Sequence, residues 1–226
     1  MAGRDLIFGS IRRSLGVSGK EAPRRKTVAD RLAQHPVGIV PARGQLAAHE
    51  RVALFRTMVE AANGSIEEIA DVGDVPSAIA AFLRAHNLPM AIRRGADPRL
   101  AALPWQRERT LEVSVGPSDG KDLVAVSHAF GGVAESGTLM LVSGPDNPTT
   151  LNFLPDTHVV VVDAKDVAGD YETLWRRLRE KFGDGTMPRT VNLITGPSRS
   201  ADIEQTLILG AHGPRRLHVM VVGKAA

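Results

Sequence analysis

The sequence predicts an α/β fold with a largely parallel sheet and helices on both faces. Three observations predict it. First, "HVVVVDA" (158–164) and "LHVMVVG" (217–223) are apolar on both faces, as strands covered on both sides must be. Second, strand and helix patterns alternate through 158–223. Third, "VSVGPSDG", "LMLVSGPDNP" and "NLITGPSRS" each run an apolar strand into Gly-Pro and then Ser or Asp. Glycine permits a sharp exit or a close backbone approach, and proline fixes φ. In open α/β sheets, ligands bind beyond the carboxyl ends of strands. A plain compact turn is the alternative for each.

The elements follow in order. Residues 4–16 form a short helix carrying Leu6, Ile7, Ile11 and Leu15, stopped by Gly16. A polar linker, 17–26, follows, so residues 1–36 read as an arm ahead of a main domain over 37–226. "VGIVP" (37–41) is a strand candidate. Residues 46–63 form a helix, with Val52, Phe55, Val59 and Ala62 at three- and four-residue steps and Asn63-Gly64 as the stop. Residues 76–87 form another, with Pro76 in its first turn. Strands are expected at 65–70, 88–94, 110–116, 122–127, 138–144, 158–164, 191–196 and 217–223. Asn147-Pro148 reads as the start of a short helix through Phe153. Residues 171–183 carry the stripe Leu174, Trp175, Leu178 and Phe182, and 201–210 reads as a helix after the Gly-Pro-Ser turn.

Composition excludes several classes. The chain has 226 residues, 43% hydrophobic and 23% charged, enough for a sizeable core. It has no cysteine, which excludes disulfides, thiolate nucleophiles and cysteine-held zinc or iron–sulfur sites in this chain. The seven histidines show no metal-ligand spacing, so no metal is expected. The net charge is +3, and the basic arm carries only Phe8 as an aromatic, so no nucleic-acid partner is expected. No apolar run reaches membrane-spanning length, and Arg12-Arg13 directly after the short apolar stretch 6–11 is not a secretory pattern. The expected location is the cytoplasm.

Two constellations carry candidate chemistry. In 193–214, Gly196, Pro197, Ser198 and Arg199 form the turn, Ser198 or Ser200 caps the following helix, and Asp202 lies in its first turn. Arg199 and the free amides would suit a small anionic ligand. On that helix Asp202 and His212 stand roughly 15 Å apart, so they share no site. "AHGP" reads as a helix stop, with Gly213 left-handed. In 127–148, Glu135, Ser136, Gly137 and Thr138 precede a buried strand. Glu135 could serve as base, nucleophile or hydrogen-bond acceptor. It is the catalytic candidate, and a turn glutamate bound to backbone is the alternative.

These same two stretches, "AESGTLMLVSGPDNPTTLNFLPDTHVVVV" (134–162) and "LITGPSRSADIEQTLILGAHGPRRLHVMVV" (193–222), resemble the signature blocks of the LUD domain family, and within it the lactate utilization protein C group. "IRRSLG" and "PARGQ" (41–45) resemble it more weakly. The resemblance implies a three-layer fold similar to the NagB/RpiA/CoA-transferase group, with 37–226 as the LUD domain. It implies a role in oxidising L-lactate to pyruvate beside iron–sulfur partner proteins, with no cofactor in this chain and a homo-oligomer as a further expectation. CoA transferases of the wider fold use a glutamate followed shortly by glycine, and Glu135-Ser136-Gly137 is similar. Two readings stand: an accessory subunit, or an enzyme or binding protein acting through Glu135 on a small carboxylate or acyl-thioester. On either reading, the Gly-Pro-Ser turn is expected at the ligand-side edge of the sheet, and "AHGP" is expected to serve architecture or an interface.

Overall fold

The computed structural model describes residues 2–183, 185–201 and 207–224. It divides into two compact units, 1–39 and 40–226. The first holds α1 (Ala2–Leu15) and α2 (Ala22–Gln34). The expected linker is therefore helical from Ala22. Pro23 sits in the first turn, where a missing N–H costs nothing, and the helix ends on His35 at φ 43°. The strand expected at 37–41 does not form. Val37 and Ile39 are exposed and pair with no strand among the described residues.

The second unit runs α3 (Ala48–Ala61), β1 (Ser65–Ile69), α4 (Val75–Ala85), β2 (Ala91–Arg94), α5 (Pro98–Ala101) and β3 (Glu112–Val115). Then come β4 (Val124–His128), β5 (Gly131–Val133), β6 (Thr138–Val142), α6 (Thr150–Phe153), β7 (Thr157–Asp163), β8 (Val167–Ala168) and α7 (Tyr171–Phe182). The chain closes with β9 (Val191–Ile194), β10 (Arg199–Ala201), β11 (Leu207–Leu209) and β12 (Arg216–Val222). Six strands form one sheet in the order β1-β12-β7-β4-β2-β3, every neighbouring pair parallel. The expected α/β class with helices on both faces of a parallel sheet is the observed one.

The two-sided apolar strands explain the layers. Val159 and Val161 of β7 face a cluster with Ile79, Phe82 and Leu83 of α4 and Leu100 of α5. Val160 and Val162 face the other way, against Phe55 and Val59 of α3 and Leu139 and Leu141 of β6. That second face is shared with a smaller sheet, β8-β5-β6-β9, which periodicity alone did not reveal. Met140 points to the far side of β6 and joins Val133, Ala168 and Leu174, so α7 covers the small sheet from outside.

The helix expected at 201–210 is replaced, in its described parts, by strand. Arg199–Ala201 pairs antiparallel with Leu207–Leu209. Asp202 lies outside the described residues. The left-handed glycine is Gly210, at φ 81°, and not Gly213. No helix among the described residues is long and apolar enough to cross a membrane.

Candidate functional site

Strand β9 runs out through Thr195, Gly196, Pro197 and Ser198. Gly196 has φ 69°, and a Cβ there would strike the Ala62 carbonyl at the end of α3. Nη2 of Arg199 donates to that same carbonyl. The turn is thus pinned to a helix end by the protein's own backbone. Ser198 then ties the two halves of the segment together. Its N–H donates to the Pro214 carbonyl at 2.8 Å, its carbonyl accepts from Gly210 N–H at 3.0 Å, and its Oγ accepts from His212 N–H at 3.4 Å. The hairpin therefore brings His212 beside Ser198. The Asp202–His212 spacing expected along a helix involves Asp202, which lies outside the described residues.

Between these loops lies a cavity of about 470 Å³. Thr195, Gly196, Pro197, Ser198 and Arg199 line it, with His212 and Pro214 opposite. Its other walls are Asn152 and Phe153 of α6 and the second residues of two sheet strands, His158 and Leu217. Those two positions lie at the amino ends of β7 and β12. The cavity is therefore at the amino edge of the six-stranded sheet, and the expectation of the carboxyl edge for this turn is corrected. The turn extends the small sheet through β9, so its exit direction is set by that sheet.

His158 is wholly buried, and burial pushes its pKa down to about 3. Nε2 meets Ser127 Oγ at 2.9 Å, and Ser127 Oγ donates to Asn152 Oδ1 at 3.4 Å. Ser127 has one proton to give, so it accepts from Nε2–H. Nδ1 then holds a lone pair with no partner.

The Glu135 turn stands apart. Glu135 is not among the cavity-lining residues. It is 5% exposed, its N–H donates to the Gly169 carbonyl, and its Oε2 is buried without a partner. Gly137 has φ 67°, and a Cβ there would collide with the backbone of Met58 and Val59 in α3. Ser136 and Thr138 belong to a hydroxyl cluster. Ser136 Oγ lies 2.7 Å from Thr138 Oγ1 and 2.9 Å from the Tyr171 hydroxyl, and Thr138 Oγ1 lies 2.6 Å from Thr195 Oγ1. That last contact links the turn to the cavity wall.

The model of the LUD domain matches residues 52–222, which contain both constellations. The chain belongs to the LUD domain family. Among curated proteins, this LUD domain is 36% identical over 141 residues to lactate utilization protein C of Geobacillus thermodenitrificans, covering 57% of this chain and 59% of that one. It is 38% identical over 90 residues to lactate utilization protein C of Anoxybacillus flavithermus, covering 40% and 39%. It is 34% identical over 134 residues to an uncharacterized protein of Neisseria meningitidis serogroup B, covering 59% and 50%. The matches thus span less than two thirds of each of these relatives. Among solved structures, a duf162 family protein from Deinococcus radiodurans superposes with a TM-score of 0.59 at 21% identity, covering 79% of this chain and 99% of that chain.

The carboxyl edge of the main sheet in this LUD domain carries a second group of polar residues, which pattern reading missed. After β2, Asp97 takes a two-pronged contact from Arg99, Nε to Oδ1 at 3.0 Å and Nη2 to Oδ2 at 2.7 Å. Asn147 donates to Asp97 Oδ2 at 3.1 Å instead of capping a helix, and α6 begins only at Thr150. Burial alone would raise the Asp97 carboxyl, but Arg99 and Asn147 outweigh it and hold it at about 2. At the end of β4, His128 Nδ1–H donates to the Ala129 carbonyl at 2.9 Å, and Nε2 stands 3.9 Å from Asp163 Oδ2 at the end of β7. Burial, then the charge of Arg99, lowers the His128 pKa. A cavity of about 430 Å³ opens beside Asp163, Lys165, Asp71 and Lys224. The available signal was "GADPR", an Asp-Pro start directly after an apolar strand, and the charged residue closing "HVVVVD". Among the described residues no three His, Asp or Glu side chains are placed to hold a metal ion.

Proposed function

We propose that this LUD domain protein acts in L-lactate utilization, the oxidation of L-lactate to pyruvate, as a subunit working beside iron–sulfur partner proteins. Similarity to proteins named lactate utilization protein C carries this reading. Two features support it. The sequence has no cysteine to ligate a cluster. The cavity wall, among its described residues, holds two histidines and an arginine but no carboxylate to complete an acid–base set. The test is affinity purification of the tagged protein from cells grown on L-lactate. Co-elution of an iron-bearing, lactate-oxidising activity is expected. Recovery of the protein alone, from an extract that still oxidises lactate, overturns it.

A second reading has one observation in its favour. The buried Glu135 carboxylate has an oxygen without a partner, beside a hydroxyl cluster. In that reading the protein moves CoA between an acyl-thioester and a free carboxylate. Glu135 attacks the thioester carbonyl, the C–S bond breaks, and CoA thiolate leaves an acyl–glutamyl anhydride behind. The thiolate attacks the glutamyl carbonyl and releases the first carboxylate. The second carboxylate takes CoA from the glutamyl thioester by the reverse steps. Purified protein would then exchange CoA between acetyl-CoA and L-lactate, and Glu135→Gln would abolish the exchange while leaving the unfolding midpoint in place. Absence of exchange in the unsubstituted protein removes this reading.

A further inference from the structure

The arm, residues 1–39, combines free positive charge with exposed apolar side chains. Of the chain's 28 Lys and Arg and 25 Asp and Glu, it carries eight and three. The arm is thus net +5, and residues 40–226, with 20 and 22, are net −2. Two of its three carboxylates are already engaged. Asp30 pairs with Lys26 at 2.7 Å, and Glu21 accepts from Ser18 N–H and Oγ–H at 2.6 and 2.8 Å. Arg12, Arg13, Arg24 and Arg25 enter no ion pair among the described residues. On the helical wheel of α1, Ile7, Phe8, Ile11 and Leu15 fall within an arc of about 100°, and all four are exposed. The guanidiniums of Arg4 and Arg12 stand 5.4 and 6.0 Å from the Phe8 ring centre, so cations border this face. On α2, Val28, Ala29 and Leu32 line a groove of about 390 Å³ together with Arg24 and Arg25.

Charge and spacing select what covers these faces. A second copy of the chain offers the cations little, since residues 40–226 are only net −2. Nucleic acid would use the cations and leave the apolar face wet. A groove on a partner protein would need carboxylates fixed opposite cations scattered over two helices and their turn in no regular spacing. A fluid layer of anionic headgroups needs no such register, and the acyl boundary beneath it takes the apolar side chains. We propose that the arm anchors the protein to an anionic lipid surface, with Ile7, Ile11 and Leu15 entering the acyl boundary and Arg12, Arg24 and Arg25 meeting lipid phosphates. At 14 residues, α1 is too short to span a bilayer and lies in the headgroup plane. Each cation at such a surface strengthens binding about fivefold.

This inference goes beyond the role proposed above and does not depend on it. The test is co-sedimentation of the full chain with vesicles of phosphatidylcholine alone and of phosphatidylcholine with about one-quarter phosphatidylglycerol, in about 50 mM salt. Binding to the anionic vesicles is expected to be at least about tenfold stronger than to the neutral ones. Arg12→Gln with Arg13→Gln should weaken anionic binding at least about tenfold. Ile7→Ser with Ile11→Ser, both exposed positions, should do the same with an unchanged circular dichroism spectrum. No binding to anionic vesicles, equal binding to both kinds, or unchanged binding in either double variant each overturns the proposal. Vesicle binding together with a failed co-purification would remove the lactate-system role and leave this anchor standing.

Discussion

Burial sets the protonation of several histidines, and through it the acid sensitivity of the fold. His158 is lowered to about 3 by burial. His218 is lowered to about 4 by burial and by the nearby His86. Each binds a proton in the unfolded chain near pH 6.5 but not in the folded one. Their contribution is therefore whole above pH 6.5 and is lost as pH falls toward 4 and 3, with a slope of at most about 1.4 kcal/mol per pH unit for each. Asp97, held at about 2, acts in a lower window, losing its contribution only below its unfolded pKa, near 4. Urea midpoints should therefore fall between pH 7 and pH 5, before any carboxylate titrates. His158→Gln should flatten that fall by about one proton's worth, and an unchanged slope would show that His158 is not the source.

At the scale of elements, helix α3 organises both candidate segments. Gly137 lies against the backbone at Met58 and Val59, and Gly196 lies against Ala62 one turn further on. Both glycines are at positive φ, where an L side chain is strained as well as crowded. Gly137→Ala should cost more than about 2 kcal/mol, read as a drop in the urea midpoint without a change in slope. A loss under about 0.5 kcal/mol would mean that α3 yields easily and does not fix the turn. The same contacts explain why small residues surround Glu135 and Ser198. They admit a helix backbone, and the cavity is lined along this stretch from Leu193 to Arg199.

Across the molecule, the three buried apolar clusters found among the described residues lie within residues 52–222. The chain from 40 to 226 therefore keeps these clusters. Expressed without 1–39, it should unfold cooperatively with a stability within about 0.5 kcal/mol of the full chain, measured by urea denaturation. Loss of cooperative unfolding would place an essential packing contribution in the arm. In the arm itself, Leu6, Ile7, Leu15 and Leu32 are each more than half exposed. Under the subunit reading, the truncated chain should lose its co-purifying partners while retaining its fold.

Much of this was legible in the residues. The doubled apolar faces of 158–164 and 217–223 determined a buried parallel sheet, because only a strand covered on both sides can be apolar on both. The spacing of Val52, Phe55 and Val59 determined a helix and its inward stripe. What the sequence could not determine was set by contacts distant along the chain. Residues 201–210 read as a helix by spacing, yet the described Arg199–Ala201 and Leu207–Leu209 pair as strands, since short apolar runs fit either period and the partner strand decides. Asn147 has a cap's composition but spends its amide on Asp97, fifty residues away in sequence. His158 looked like one more core histidine until Ser127 and Asn152, from two other elements, fixed its proton and left one nitrogen unpaired. Local periodicity encodes which face is buried. Which polar atom is left without a partner depends on the whole set of neighbours, and only the tertiary structure supplies that set.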